Sequence, residues 1–352
     1  MTLVLQETVI DDVDRRLVNA LQIFPRISWM QLGKILGYDA TTLARRWTRL
    51  REAGLAWTVC YQQPEHLDVA LPAMALIEVD VRAGQREQVV AALAPLEEII
   101  EIDRASGARD LLLTVVHSSI ATADAFVAES IAGVPGIRAT RTRFASNLYK
   151  DGSRSHLDVL PPEMLTALRR AAEGFAGEAS APTPLLVSVM RCLLADARRP
   201  ASEIAAELGH SVTSITRAIH RLFGSAWFAA KTDFAHHALG YTTAASLWYR
   251  VPSSELNAVG AGVAAAPGVR MSAAILDRMN LAITVWLRHT QDLESLLMRI
   301  EHAHPRIELC ETWLIPSVAK RSGAVLTEDG RFSHQISTSH ALAPVGAQTR
   351  SR

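Results

Sequence analysis

One compound segment of this chain occurs twice. Leu36-Gly37 recurs as Leu208-Gly209, and Thr41, Leu43, Arg45, Arg49 and Leu50 recur as Thr213, Ile215, Arg217, Arg221 and Leu222, at an interval of about 172 residues. The correspondence keeps its order further on. Ala245 to Val251 repeats the first strand-like stretch after Leu71, and Asn280 to Trp286 repeats the stretch that begins at Asp110. His304-Pro305-Arg306-Ile307 matches Val134-Pro135-Gly136-Ile137, where the interval has become 170 through a two-residue deletion. Chance likeness between Ala- and Arg-rich helices does not persist in order across two different kinds of subdomain. The repeat therefore predicts two copies of one composite module.

The parts of the module can be read from periodicity and end signals. Asp11 to Gln22 predicts a helix, with acids in its first turn and Val13, Leu17 and Leu21 on one face. Phe24-Pro25-Arg26 ends it. Ser28 with Gln31 has the capping-box pattern and opens a short helix to Leu36. Gly37 turns the chain, Asp39 caps a third helix, and Gly54 stops it. On that helix Leu43, Trp47 and Leu50 form an apolar stripe, which places Trp47 in the core. Thr42, Arg45, Arg46 and Arg49 lie on the other face. Three short helices with a glycine turn before the third follow the helix-turn-helix plan. An Arg-rich outer face suits a major groove, because Arg pairs bidentately with guanine and also contacts phosphates. In the second copy Ser211 is the cap and Ile215, Ile219 and Leu222 the stripe.

Leu55 to Gln62 predicts a strand, as a wing or the start of a link. Strands are then expected at Ala73–Val81, Ile99–Arg104, Asp110–His117 and Ile137–Phe144, with helices at Gly84–Leu96 and Ile120–Ile131. The turn Ser106-Gly107-Ala108-Arg109 joins the middle strands. That order, βαββαβ, is the ferredoxin-like split unit, whose half-exposed sheet usually packs on another copy. The expected fold class is α+β, with two winged helix-turn-helix domains and two ferredoxin-like βαββαβ domains in tandem. The expected layout is a helix-turn-helix domain at 1–62 and a ferredoxin-like sensor and oligomerisation domain at 63–150. A linker around one helix follows at 151–184, then a second helix-turn-helix at 185–235 and a second ferredoxin-like domain at 236–332. Residues 1–10 are expected as a short arm and residues 333–352 as a disordered tail.

The formal net charge of zero excludes a histone-like coat for nucleic acid, so any DNA contact must come from a local basic patch. The first residues have no basic region followed by an apolar core, and no run of about 18 apolar residues occurs. A cytoplasmic protein without a membrane span is expected. Cys60, Cys192 and Cys310 are isolated and expected as small core residues. The adjacent histidines His236-His237 and the pair His302/His304 are expected at exposed loop or helix-end positions. No catalytic residue, metal ligand set or cofactor is expected, since no nucleophile elbow, phosphate-cradling loop or metal quartet is found.

The stretches Asn19-Ala20-Leu21-Gln22, Pro25-Arg26-Ile27-Ser28, Leu32, Leu36-Gly37, Thr41, Arg45-Arg46, Arg49-Leu50 and Glu52-Ala53-Gly54-Leu55 resemble the DNA-binding domain of the Lrp/AsnC family of prokaryotic transcriptional regulators. The βαββαβ segment looks like that family's ligand-sensing domain. Ser106-Gly107-Ala108-Arg109-Asp110-Leu111-Leu112 is similar to its Gly-x-x-Asp turn near the amino-acid effector site. The resemblance implies binding of double-stranded DNA through Thr41, Thr42, Arg45, Arg46 and Arg49, and in the second copy through Thr213, Ser214, Arg217 and Arg221. It implies a small, amino-acid-like effector at Gly107 and Asp110, with Asp277 and Asn280 at the corresponding places. It also implies a homo-oligomer built from pseudo-dimers formed within each chain. The second copy departs from the family pattern at Ala218, Ala226 and the glycine-free turn Asp277-Arg278-Met279-Asn280. Two other readings attach to the same fold. One is a siroheme decarboxylase-like enzyme, which resembles its relatives through a His-Asn-Tyr stretch where this chain has Ala108-Arg109-Asp110 and Arg278-Met279-Asn280. The other is an oligomerisation partner without DNA contact.

Overall fold

The computed structural model describes residues 10–62, 73–152 and 156–336. Of the expected arm only Ile10 lies among them. The first elements are α1 (Asp12–Ile23), α2 (Trp29–Leu36), α3 (Ala40–Glu52), β1 (Ala56–Gln62), β2 (Ala73–Val81), α4 (Arg86–Leu93), β3 (Ile99–Arg104), β4 (Leu111–His117), α5 (Ile120–Phe126, extended by one π turn to Ile131) and β5 (Ile137–Lys150). Then come α6 (Pro162–Phe175), α7 (Pro184–Leu193), α8 (Ala201–Leu208), α9 (Val212–Gly224), β6 (Phe228–Phe234), β7 (Thr243–Arg250), α10 (Leu256–Ala264), β8 (Val269–Ile275), β9 (Leu281–Leu287), α11 (Gln291–Ala303) and β10 (Glu308–Leu314). Three short strands close the described chain: β11 (Ser317–Arg321), β12 (Ala324–Leu326) and β13 (Phe332–Gln335). The chain folds as two units. One holds Met1–Tyr61 and His156–Leu239, the other Gln62–Ser155 and Gly240–Arg352. Like elements are thus gathered across the sequence rather than strung along it.

In the first unit the helix ends form as their side chains dictate. Asp11 and Asp14 make a reciprocal capping box on α1, and Asp39 accepts the Thr41 and Thr42 N–H groups at the start of α3. Gly54 has φ +66°, its N–H donates to Arg51 O at 2.9 Å, and the Leu55 N–H donates to Leu50 O at 2.8 Å. That is a Schellman stop, and it requires the left-handed residue that glycine supplies. Leu43, Trp47 and Leu50 are buried as their spacing predicts, and so are Ile215, Ile219 and Leu222 on α9.

The two three-helix groups of this unit are held to each other reciprocally. Arg26 donates to the carbonyls of Ala197 (2.6 Å) and Arg199 (2.9 Å). Arg198, its counterpart, donates to those of Pro25 (2.6 Å) and Ile27 (3.0 Å). Each residue stands in the repeat where the other does, which is the signature of an isologous contact. Arg198 also lies 4.0 Å over the Trp29 ring. Burial and the neighbouring Arg26 guanidinium pull the Arg198 pKa down to about 10. β1 and β6 form a two-stranded sheet. The strand expected as a wing of each helix-turn-helix therefore pairs with its counterpart instead, which corrects the winged description. The expected linker is corrected too. Asn19 Oδ1 accepts the Val159 and Leu160 N–H groups (3.2 Å each), Leu168 of α6 is fully buried, and Phe175 stacks on His220 with ring centroids 4.2 Å apart. Residues 156–184 are an integral strap of this unit, because they satisfy polar groups and cover apolar surface on α1 and α9.

The second unit is an eleven-stranded sheet in the order β10-β7-β9-β8-β5-β2-β4-β3-β11-β12-β13. It contains the expected βαββαβ order as β2-α4-β3-β4-α5-β5, and the same order as β7-α10-β8-β9-α11-β10. β5 runs six residues past the expected Phe144, and this extension pairs with β8 through Asn147↔Ala274, Leu148↔Ala273 and Lys150↔Ser272. β11 pairs with β3 through Ser317↔Arg104, Val318↔Asp103 and Lys320↔Ile102. These are equivalent registers, residue for residue. Pro316 separates β10 from β11, as expected for a residue without an N–H. Two backbone bonds complete the reciprocity: Ser106 N–H to Leu314 O at 2.9 Å and Leu276 N–H to Phe144 O at 2.8 Å. Helix-covered faces form two apolar cores. The other faces meet in a third, made by Leu76, Leu112, Trp248, Ala273, Ile275, Ala282 and Trp313. β11 to β13 were not expected, and Phe332–Gln335 is a strand where a disordered tail was expected to begin. Residues 337–352 lie outside the described residues.

Only Cys60 of the three cysteines is fully buried; Cys192 and Cys310 are half-buried, and all are free thiols. His236 is buried rather than exposed, its ring tilted against that of His237 with centroids 4.2 Å apart. Among the described residues no helix is long and apolar enough to cross a membrane, and no group of three or more His, Cys, Asp or Glu is arranged to hold a metal.

Candidate nucleic-acid interface

On α3 the predicted residues separate into two sets. Arg46 is ion-paired to Asp11 (2.7 Å) and Asp14 (3.0 Å), and Arg49 to Asp14, whose carboxylate is fully buried. Asp11 is partly buried, yet the Asp14 N–H and the Arg46 guanidinium hold it below the usual carboxylate range. Arg46 is raised in turn by its bonds to Asp11 and Asp14. These arginines clamp α3 to the start of α1. Thr41 gives its hydroxyl to Asp39 at 2.6 Å. Arg45 is exposed one turn from Thr41, and Thr48, which the sequence gives no reason to single out, is exposed a further turn on. The outward ridge of α3 is therefore Thr41, Arg45 and Thr48, flanked by the clamped Arg49.

On α9 the exposed residues are Val212, Thr213, Thr216, Arg217 and Arg221, with Ser214 half-buried. Thr213, Ser214, Arg217 and Arg221 line a cavity of about 240 Å³ against the N-terminal turn of α7. Arg221 donates to Ser180 Oγ.

The proposed effector residues sit at the two β-turns of the second unit. Gly107 has φ +95° and faces open space. Asp110 does not offer a free carboxylate: its Oδ2 accepts the Val81 N–H at 2.6 Å. Asn280 makes the equivalent bond, Oδ1 to the Val251 N–H at 2.8 Å, and returns Nδ2 to Val251 O at 2.8 Å. An acceptor at this place pins the end of the first strand of each βαββαβ set, so Asp and Asn serve alike. Asp277 is engaged by Arg143 at 2.5 Å, which holds it below the usual carboxylate range against the effect of its partial burial. Arg143 and Arg109 both pair with Glu78, which is buried on the helix-free face of β2. Sequence reading missed this network, since a glutamate within an alternating strand carries no local signal of its partners.

Residues 10–51 match the AsnC-type helix-turn-helix domain, and residues 74–155 match the Lrp/AsnC ligand binding domain. The leucine-responsive regulatory protein of Salmonella typhimurium is 30% identical over 149 residues, 41% of this chain and 90% of that protein. The HTH-type transcriptional regulator FL11 of Pyrococcus abyssi is 27% identical over 143 residues, 40% of this chain and 93% of that protein. Among solved structures, the siroheme decarboxylase NirDL superposes with a TM-score of 0.54, covering 93% of this chain and 96% of its own. At 14% identity that likeness is one of fold. With its helix-turn-helix and its βαββαβ domain both matched, and a relative covered nearly end to end, this chain belongs to the Lrp/AsnC family of transcriptional regulators.

Proposed function

We propose that the protein is a cytoplasmic, sequence-specific DNA-binding transcriptional regulator in which a tandem duplication has put both halves of a regulator dimer on one chain. The observation that carries this reading is the reciprocal pairing of Arg26 and Arg198 within one unit, beside two unequal recognition helices. Residues 1–62 and 63–150 form one module, and 185–235 with 236–332 the other. Thr41, Thr42 and Arg45 contact the duplex directly. Arg46 and Arg49 act chiefly by fixing the pitch of α3, with Arg49 at its exposed edge free to add a phosphate contact. Thr213, Ser214, Arg217 and Arg221 give the second contact surface. Unequal helices favour an asymmetric site. The protein acts without catalysis.

An amino-acid-like effector is proposed at the turns carrying Gly107 and Asp277, with Asp110 and Asn280 shaping them from behind through backbone bonds. Ligand binding there shifts the balance between oligomeric arrangements of whole chains. The test is a DNA titration of the full chain against its own upstream region at several salt concentrations, beside Arg45→Ala. Salt-sensitive binding weakened by about 1–3 kcal/mol at cognate sequence is expected. Absence of binding at low salt would sink the reading and turn attention to a partner protein or a bound tetrapyrrole, which an absorption spectrum of the purified protein would reveal.

A further inference from the structure

The start of α1 and the outer face of α3 meet through carboxylates: Asp11 and Asp14 hold Arg46 and Arg49. The same four places in the second copy are Thr183, Leu186, Ala218 and Arg221. Both acids are gone, and so is one of the two guanidinium groups. One guanidinium stays, and Arg217, which corresponds to the exposed Arg45, stands one turn before it. The space that a side chain like Arg46 would fill is left as the cavity of about 240 Å³ between α7 and α9.

The lining of this cavity has a definite chemistry. Arg217 and Arg221 supply guanidinium donors, and Thr183, Ser211, Thr213 and Ser214 supply hydroxyls. Leu185, Leu186 and Ala218 make its apolar wall, and no acid is among the lining residues. In the first copy Arg46 and Arg49 are answered by Asp11 and Asp14. In the second, no acid lines the space beside Arg217 and Arg221 among the described residues. Two guanidinium groups set one turn apart and ringed by hydroxyls match an oxyanion with several acceptor oxygens. The positive end of α7, capped by Thr183, opens on the same space and adds to the same preference.

We infer that the second helix-turn-helix carries an oxyanion pocket for a phosphoryl group, formed where the first copy has its internal ion pairs. This deepens the regulator reading, on which it rests for the contact surface at Arg217 and Arg221, by naming the phosphoryl group that the site takes. The phosphoryl group has two sources, the backbone of bound DNA or a free phosphorylated small molecule. The volume is larger than a bare phosphate needs, so part of the attached group or bridging water enters with it.

The test titrates inorganic phosphate into the full chain by calorimetry, for wild type, Arg221→Gln, Thr183→Asp and Lys34→Gln. Thr183→Asp keeps a good helix cap while placing a carboxylate where Asp11 stands in the first copy. Lys34→Gln removes a positive charge elsewhere in the same unit. Thermal melts check that each variant folds. The expected result is saturable binding by wild type and Lys34→Gln, weakened about tenfold or more in Arg221→Gln and Thr183→Asp. A DNA titration then separates the sources. Phosphate that competes with duplex, with a salt slope about one unit shallower in Arg221→Gln, assigns the pocket to the DNA backbone. Phosphate that binds without displacing duplex assigns it to a free phosphorylated molecule, and this holds even if the chain binds no DNA. The proposal is overturned if phosphate does not saturate and Arg221→Gln leaves the salt slope unchanged, or if folded Thr183→Asp binds phosphate as wild type does.

Discussion

Asp14 and Leu186 stand at the same point of equivalent helices, three residues past the cap. Asp14 is buried because two arginines of α3 answer it, whereas Leu186 is buried by ordinary apolar packing. The backbones of the two helix-turn-helices are alike, yet one is clamped by charge and the other by core. The second unit shows the same divergence. Glu78 and Arg143 form an ion pair on one side of its central cluster, and their counterparts are Trp248 and Trp313, with ring centroids 5.2 Å apart. Arg143 lies 5.1 Å over Trp248, so the unlike pairs meet. The long β5 sets Tyr149 against Gly260, where a Cβ would come within 2.1 Å of the ring. At the other crossing Ala319 joins the core that holds Val90. On the proposed duplication, two copies on one chain are released from having to be identical, and each of these contacts pairs unlike residues.

The largest expected effect tests the clamp. Asp14→Ala removes the N3 partner of the cap, takes away the carboxylate that Arg49 pairs with, and leaves Arg46 with Asp11. We expect a loss of about 2–4 kcal/mol by denaturant unfolding. A loss below about 0.5 kcal/mol would mean that the ion pairs do not hold α3 in place.

Next is the crossing of Tyr149 and Gly260. Gly260→Val, which installs the residue found at the equivalent position, should destabilise by about 1–3 kcal/mol through overpacking. Tyr149→Ala in that background should restore much of the loss, and a double-mutant cycle measures the coupling. Additive costs would break the claim that the two residues are matched.

The reciprocal arginines give a result of similar size that is more even. Arg26→Ala and Arg198→Ala each remove charge-assisted bonds to carbonyls and should cost about 1.5–3 kcal/mol apiece. The sharpened comparison is their near equality, with Arg198 somewhat worse because it also covers Trp29. A silent Arg198→Ala would mean that the contact is not reciprocal in energy.

The smallest effect is a pH dependence at β11. Lys320 is fully buried and donates to Leu96 O at 2.7 Å, and burial pulls its pKa down to about 8. The unfolded chain holds this proton more tightly than the native one. The burial cost is therefore present in full below about pH 8 and is relieved as pH rises from there towards the ordinary lysine value. Native stability should rise over that window on the order of 1–2 kcal/mol relative to Lys320→Met, measured by unfolding at matched pH values. Parallel pH profiles for the two proteins would contradict the assignment.

The helices and their ends were legible because capping chemistry is local. Asp11, Ser28, Asp39 and Gly54 announce themselves within four residues of what they do. The repeat made the βαββαβ order legible twice. Long-range pairing was not legible. Ser317-Val318-Ala319-Lys320-Arg321 does not look like a buried strand, because its lysine and arginine are satisfied only after β3 and the Leu96 carbonyl have come to meet them. The acids at the start of α1 were read as partners of the helix dipole, whereas their larger role is tertiary. The likeness of its turn to the family's Gly-x-x-Asp turn points to Asp110 as an effector group, and does not show its bond to the Val81 N–H. The repeat aligns it with Asn280, but their shared role is visible only once both are seen on strand-end amides.

The most direct measurement sets the two recognition helices against each other. Full chain, Arg45→Ala and Arg217→Ala are titrated at several salt concentrations against the upstream duplex and a scrambled one. The account predicts that Arg45→Ala loses about 1–3 kcal/mol on the upstream duplex and little on the scrambled one, so that discrimination falls. It predicts that Arg217→Ala weakens both duplexes alike and flattens the salt slope by about one unit. Equal loss of discrimination in both variants would mean that the two helices read DNA in the same way, and would contradict the division of labour drawn from their unlike clamps.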